Sequence, residues 1–431
     1  MRDDDDGMAT GQGAAPGLLS RLAQGVRARF GHGAAAAAQT PLDPRLARYA
    51  DKVATAEAAV GRIPAGSRVF VGTACATPRT LVQALETMTT PPDELELLHF
   101  LTDGAVPHDA EGRATTRFAH RNFFAGADIR AAVRQGLAEY VPMSIARLPQ
   151  LIGIGRIPID AALIQVSMPD EFGYVSLGIS VDVIPATIAR ARLVIAEVNP
   201  FMPRSMGDST LHVDRIDWLV PVATPLAEYV HPDTVEEDVE RIARYIGGII
   251  DDGSTLQIGL GRVTTAALKH LSDRKDLGIH SDVITDAIIP LLERGIVTGR
   301  RKSVQRDKIV TSFAVGTRRL YDLIDGNPLF VFEPIDVVCH PANIAAQHRM
   351  VSVTQAFAID LTGGSAPTSS TASTTAGWRR RASSCAAPRA RPAARRSSVS
   401  PRPPTAARPR ASAPSSRRAR ARRSPAPTCT M

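Results

Sequence analysis

From Tyr49 onward, short runs of β-branched and apolar residues alternate with segments in which apolar residues recur three and four positions apart. Runs of the first kind, Arg68 to Gly72, Leu95 to Leu101, Ala162 to Ser167, Leu193 to Val198 and Trp218 to Val222, predict strands. Pro78 to Met88 and Asp128 to Gly136 predict helices, and Pro78 suits a helix's first turn. This alternation predicts an α/β protein of βα units around mainly parallel sheets. A polar, helix-prone stretch from Pro232 to Tyr245 intervenes, after which the alternation restarts with Thr255 to Gly259, Leu277 to His280, Lys308 to Val315 and Leu329 to Glu333. A domain boundary is therefore expected near residue 228, separating residues 45–228 from 229–363. Four strands are few for an α/β domain, so the second unit is expected to be incomplete.

The two ends break this pattern. Residues 1–44 are rich in Ala and Gly, and apart from a weakly amphipathic stretch from Leu18 to Phe30 they are expected to be disordered. After Gly363 the chain has no Leu, Ile, Phe, Tyr, Lys, Asp or Glu and consists mainly of Ala, Arg, Ser, Pro and Thr, a mixture that cannot bury a core. Such a mixture is what a G+C-rich gene yields out of frame, so residues 364–431 are expected to be disordered and to follow a frameshift. The nucleotides after codon 363, read in the other two frames, test this: neither encoding further strands would refute it.

The tail also changes the meaning of the charge. The whole chain carries a formal +8, yet 15 arginines and no acid lie beyond Gly363, leaving 36 basic against 43 acidic residues before it, a net −7. With Trp378 as its one aromatic, the tail lacks the interleaved rings of a single-strand binder; it predicts non-specific nucleic-acid binding at most. Cys75, Cys339, Cys385 and Cys429 show neither metal nor redox spacing, and no apolar run approaches a membrane span. With Asp3 to Asp6 at the amino terminus in place of a basic signal region, a cytoplasmic protein without metal or membrane partner is expected.

Three stretches could carry chemistry. Val69 to Pro78, VFVGTACATP, and Gln257 to Val263, QIGLGRV, each predict a strand running through a small-residue loop into a helix. Backbone N–H groups there could meet an anion or oxyanion, although an ordinary tight βα turn has the same signature, and a lone Gly-x-Gly is weak evidence for a nucleotide. In Leu277 to Gly299 a strand delivers His280, Ser281 and Asp282 to the start of a helix ending at Gly295. Asp282 could face a ligand cleft; equally, Ser281 or Asp282 could cap the helix and His280 could be a satisfied core histidine.

These stretches occur together with His120 to Val133 (HRNFFAGADIRAAV), Met168 to Asp182 (MPDEFGYVSLGISVD) and Phe330 to Ala345 (FVFEPIDVVCHPANIA). In this order they resemble the acetyl-CoA hydrolase/transferase family, close to its butyrate- and 4-hydroxybutyrate-type CoA-transferases, over roughly residues 47 to 363. The resemblance implies two CoA-transferase-like domains, a homodimer, and coenzyme A handled as acyl-CoA with small carboxylic acids as partners. It implies a ping-pong reaction in which an enzyme carboxylate attacks the thioester, with water as acceptor making the enzyme a hydrolase. By resemblance, Gly259, Leu260, Gly261, Arg262 and Val263 form the CoA-contacting loop; Gly72, Thr73 and Pro78 belong to the amino-terminal glycine loop, where Ala74 and Ala76 stand in place of the family's usual glycines. Asp282 occupies the position of the catalytic glutamate, with Asp286, one helical turn on, a second candidate carboxylate that could equally be a solvated surface acid. Aspartate is a methylene shorter and withdraws the carboxylate by roughly 1 Å, a displacement that can cost on the order of 10²-fold in rate. A catalytically inactive, truncated member that at most binds CoA is the alternative.

Overall fold

The computed structural model describes residues 43–124, 126–230 and 236–355, together with the backbone of five short strands further on. Seven strands drawn from the first half form one sheet: β1 (Arg68–Val71), β2 (Glu96–His99), β3 (Ala119–Asn122), β4 (Ala138–Tyr140), β5 (Ala161–Val166), β6 (Leu193–Val198) and β7 (Trp218–Pro221). Their order is β7-β6-β5-β1-β2-β3-β4 and every pairing is parallel. Because both faces of such a sheet are covered, its middle strands read as continuous apolar runs; all six residues of β5 are buried.

Helix α1 (Arg79–Thr87) turns Leu81, Val82, Ala84 and Leu85 inward, and Pro78 precedes its first turn. No side chain of its own caps α1. Instead Glu197 reaches over from β6 and accepts the N–H of Leu81 at 2.8 Å, and burial pushes its carboxyl up to about 7.

At the β2–β3 pair, Leu97 and Leu98 are buried together with polar side chains. His99 Nε2 and His120 Nδ1 lie 2.6 Å apart with the rings stacked, Thr116 bonds to the far side of His120, and Thr102 Oγ1 donates to Asp128 at 2.9 Å. Burial drives the His120 imidazole down to about 4, and burial, then the charge of nearby Asp103, pushes the Asp128 carboxyl up to about 6. Both histidines are thus neutral structural groups near pH 7.

In the second half, β8 (Thr255–Ile258) pairs in parallel with β9 (Gly278–Ile279) on one side and with β14 (Met350–Gln355) on the other. Between them, β10 (Val283–Ile284) pairs with β12 (Phe313–Ala314), and β11 (Ile309–Thr311) with β13 (Phe330–Phe332), again in parallel. Helices α2 (Glu237–Ile249), α3 (Arg262–Lys269) and α4 (Arg318–Ile324) belong to this half.

The strands expected from the apolar runs all occur, with ends that agree to within a residue or two; Lys308 to Val315 is divided into β11 and β12 at Ser312. Several strands were not expected, among them β3, β4, β10 and β14. The stretch Leu18 to Phe30 lies outside the described residues, as does most of the chain beyond Gln355, where the backbone of Arg395–Val399 pairs in parallel with β14.

Candidate active site

In parallel sheets, ligands gather at the carboxyl ends of strands where the strand order reverses direction. Both glycine loops occupy such places. The chain moves outward from β1 through β2, β3 and β4, then returns to β5 on the opposite side, so the loop after β1 stands at the reversal. The loop after β8 lies likewise between β9 and β14.

In the first loop, Gly72 donates to Leu163 O at 2.8 Å, and a Cβ there would come within 3.2 Å of both that oxygen and Pro78 Cδ, so close strand-to-helix approach requires glycine. Ala74 adopts φ +52°, a left-handed conformation costing an L-residue about 1–2 kcal/mol, and donates to Leu101 O at 2.6 Å. All residues from Gly72 to Pro78 are buried. Thr73 Oγ1 bonds to Ser180 Oγ at 2.8 Å and donates a short hydrogen bond to Asp182 Oδ2. Cys75 bonds to the Tyr321 hydroxyl, and burial pushes its thiol up to about 12, which leaves it protonated and unreactive.

The second loop is more open, with Leu260, Gly261 and Arg262 half-buried. Gly259 donates to Val353 O at 3.1 Å, tying the loop to β14. Gly261 takes φ 147°, ψ 162°, a conformation reserved for glycine, and so turns the chain into α3. Thr264 Oγ1 and the N–H of Thr265 both donate to Gly261 O, at 2.8 and 3.1 Å, while Val263 packs into the core. The Arg262 guanidinium pairs with Glu236 at 2.9 Å.

Asp282, only 3% exposed, lies in the short link from β9 to β10. Gln257 Nε2, from the last turn of β8 before the second loop, donates to Asp282 Oδ1 at 3.3 Å. Ser281 Oγ donates to Ile258 O at 3.1 Å and receives the N–H of Ile258 at 3.2 Å, locking the strand that carries Asp282 to the root of the same loop. On the other side, Ser312 and Phe313 donate their N–H groups to Asp282 O at 3.2 Å, and Ser312 O accepts from Val181 and Asp182 at 3.0 and 3.3 Å. Asp182 in turn holds Thr73. A continuous hydrogen-bonded path therefore runs from the first loop through Asp182 and Ser312 to Asp282, and onward through Gln257 to the second loop.

Two expectations about this stretch need correction. Neither Ser281 nor Asp282 caps a helix: the next helical turn begins at Asp286 after Thr285, because residues 283–284 first pair with β12. Asp286 is not a solvated surface acid; it is half-buried, and it accepts from the N–H and Oγ1 of Thr317 at 2.8 and 2.7 Å, capping α4. That cap explains Gly316, where a Cβ would fall 2.2 Å from Asp286 Oδ2.

His280 is the satisfied core histidine. Its Nε2 donates to Val338 O at 2.8 Å and its Nδ1 accepts from Gln347 at 3.3 Å. Burial, then the nearby Lys302 ammonium, holds its imidazole down at about 4. Lys302, with no exposed surface, donates to Ile279 O at 2.9 Å and to Lys308 O at 2.8 Å beneath the same strand.

Sequence reasoning passed over Asp182, Gln257 and Ser352. The first two sit inside stretches singled out for other residues; their buried polar character was the available signal. Among the described residues no cluster of three or more His, Cys, Asp or Glu could hold a metal ion, and no helix is long and apolar enough to cross a membrane.

A mainly parallel α/β scaffold in which two glycine loops are linked by hydrogen bonds to one buried carboxylate has the parts that acyl transfer requires, a nucleophile and nearby backbone donors. The comparisons give that class its family. The acetyl-CoA hydrolase/transferase N-terminal domain matches residues 42–235 and the C-terminal domain of the same family matches residues 316–379, so the likeness continues past Gly363. The chain belongs to the acetyl-CoA hydrolase/transferase family. It is 39% identical over 316 residues to the 4-hydroxybutyrate coenzyme A transferase of Clostridium kluyveri, covering 73% of each chain. It is 32% identical to the succinyl-CoA:acetate/propanoyl-CoA:succinate CoA transferase of Fasciola hepatica, covering 75% of this chain and 68% of that one. Among solved structures, RipA from Yersinia pestis superposes with a TM-score of 0.68 at 31% identity, covering 75% of this chain and 77% of that one.

Proposed function

We propose that this chain moves CoA between small carboxylic acids with Asp282 as its nucleophile. The observation that supports this reading is the burial of Asp282, joined through Gln257 to the root of the second glycine loop and through Ser312 and Asp182 to the first. Desolvation makes a carboxylate a better nucleophile, and loop N–H groups supply donors for the tetrahedral oxyanion. One carboxylate oxygen of Asp282 attacks the acyl-CoA carbonyl carbon; the C–S bond breaks and CoA leaves as thiolate, giving a mixed anhydride. The thiolate then attacks Asp282 Cγ and expels the first acid as its carboxylate, leaving an enzyme–CoA thioester. A second carboxylate reverses both steps, and water in its place completes hydrolysis.

In this reading Gly259 to Val263 grip CoA beside the N-terminus of α3, and Gly72 to Pro78 form the opposite wall. The small acids named for the relatives, acetate, propanoate, succinate and 4-hydroxybutyrate, define the acceptor class to try first. The family resemblance also supports a homodimer. Incubation with acetyl-CoA should leave a CoA-sized adduct on the peptide containing Asp282, read by mass spectrometry and abolished in Asp282→Asn; an unmodified Asp282 peptide during turnover would refute the assignment.

A further inference from the structure

We infer that Gln257 is the hydrogen-bond donor that holds and polarises the reacting carboxylate, and that Ser352 is the positioning residue that orients Gln257. The inference rests on Asp282 being the nucleophile. Gln257 and Ser352 are register partners on adjacent parallel strands, β8 and β14, with side chains on the same face of the sheet. Both side chains are buried. Ser352 Oγ and Gln257 Oε1 are 2.5 Å apart, and the other end of the same amide, Nε2, reaches Asp282 Oδ1 at 3.3 Å.

The polarity of this chain follows from chemistry. An ionised carboxylate only accepts, so the amide must turn its NH₂ toward Asp282 and its carbonyl toward Ser352, whose hydroxyl then donates. Were the amide flipped, two oxygens would face each other inside the protein, and an unpaired buried acceptor costs about 1–3 kcal/mol. The Ser352 hydroxyl thereby determines which end of Gln257 meets the nucleophile. Ser281, the neighbouring hydroxyl, has its proton committed to Ile258 O and stands 3.5 Å from Asp282 Oδ1, too far for a second strong bond.

The consequence falls on one half of the reaction more than the other. Where the acyl group is carried by Oδ2, Oδ1 is the carbonyl oxygen of the aspartyl half of the anhydride. When the CoA thiolate attacks Cγ, the electron pair of that carbonyl moves onto Oδ1, and the expelled carboxylate carries away the bridging oxygen. Negative charge thus develops on the oxygen that Gln257 Nε2–H already faces. The long 3.3 Å separation suits a donor that tightens only as this charge appears. Removing one oxyanion donor typically costs on the order of 10²- to 10³-fold in kcat.

The test uses the full chain with acetyl-CoA and propanoate as probe substrates, reading kcat and KM in steady state and the Asp282 adduct by mass spectrometry. Gln257→Leu, which keeps the volume and removes both hydrogen bonds, is expected to lower kcat roughly 10²-fold while KM for acetyl-CoA stays within about threefold. The CoA thioester on Asp282 should form more slowly in the same proportion. Ser352→Ala is expected to lower kcat by about tenfold, and Ser352→Thr, which keeps the hydroxyl, to restore it. A Gln257→Leu enzyme with unchanged kcat, a loss confined to KM, or a Ser352→Thr enzyme no better than Ser352→Ala would each overturn the inference. An unmodified Asp282 in the parent enzyme would instead remove the nucleophile assignment, so the two failures are distinct.

Discussion

Two alanines in the first glycine loop, identical in chemistry and two residues apart, should respond differently to the same substitution. Ala74 and Ala76 are both buried, at 4% and 3% exposure, so replacing either with glycine removes one buried methyl, worth about 0.8 kcal/mol. Either change also loosens the unfolded chain, a further cost of about 0.4–1 kcal/mol. For Ala76 those losses stand alone, because its φ is negative, and Ala76→Gly should destabilise by about 1.2–1.8 kcal/mol. Ala74 sits at φ +52°, where glycine relieves about 1–2 kcal/mol, so Ala74→Gly should leave stability nearly unchanged. The two variants should therefore differ by about 1–2 kcal/mol in urea unfolding, with equal slopes and separated midpoints. Equal losses at both positions would refute the left-handed backbone at Ala74 and, with it, the account of how this loop turns.

Gly316→Ala forces a Cβ to within 2.2 Å of Asp286 Oδ2, and should cost about 2–3 kcal/mol in thermal or urea unfolding. In the Asp286→Ala background the same change should cost much less, and strictly additive losses would count against the clash. Asp128 carries the pH prediction. Burial puts its folded-state acid range at about 6, above that of an exposed aspartate, so the fold bears the cost of a buried charge above pH 6 and sheds it as pH falls toward 4. Asp128→Asn should stabilise the protein by about 2–3 kcal/mol at pH 8 and not at all near pH 4; a difference independent of pH would show that burial does not raise the acid range of Asp128.

The sheet framework was legible where strands bury both faces. β5 and β6 are continuous apolar runs, and their bounds follow from the sequence almost directly. β3 reads Ala-His-Arg-Asn and β4 Ala-Glu-Tyr, with no such run, because one is filled by paired histidines and the other lies at the sheet's edge. β14 did alternate visibly, as Met-Val-Ser-Val-Thr-Gln, and was overlooked although it sits beside β8 and carries Ser352.

At the site, the glycine loops and Asp282 were reached through resemblance, whereas their connection was not. Asp182 and Thr73 are more than a hundred positions apart, and no local period links them. Helix caps such as Glu197 on α1 and Asp286 on α4 escaped for the same reason: the acceptor comes from a different element, so no residue adjacent to the helix announces it.

The path from Thr73 through Asp182 and Ser312 to Asp282 has a meaning for how such an enzyme can be altered. A donor and acceptor joined in this way form a unit of inheritance, in which each partner constrains what the others can become. A loop grafted from a relative into positions 72–78 would arrive without its matched Ser180 and Asp182, and the mismatch would surface at the nucleophile, in a part of the chain that the graft never touched. Chimeras of this scaffold should therefore be cut so that residues 72–78, 180–182, 281–282 and 312 come from one parent.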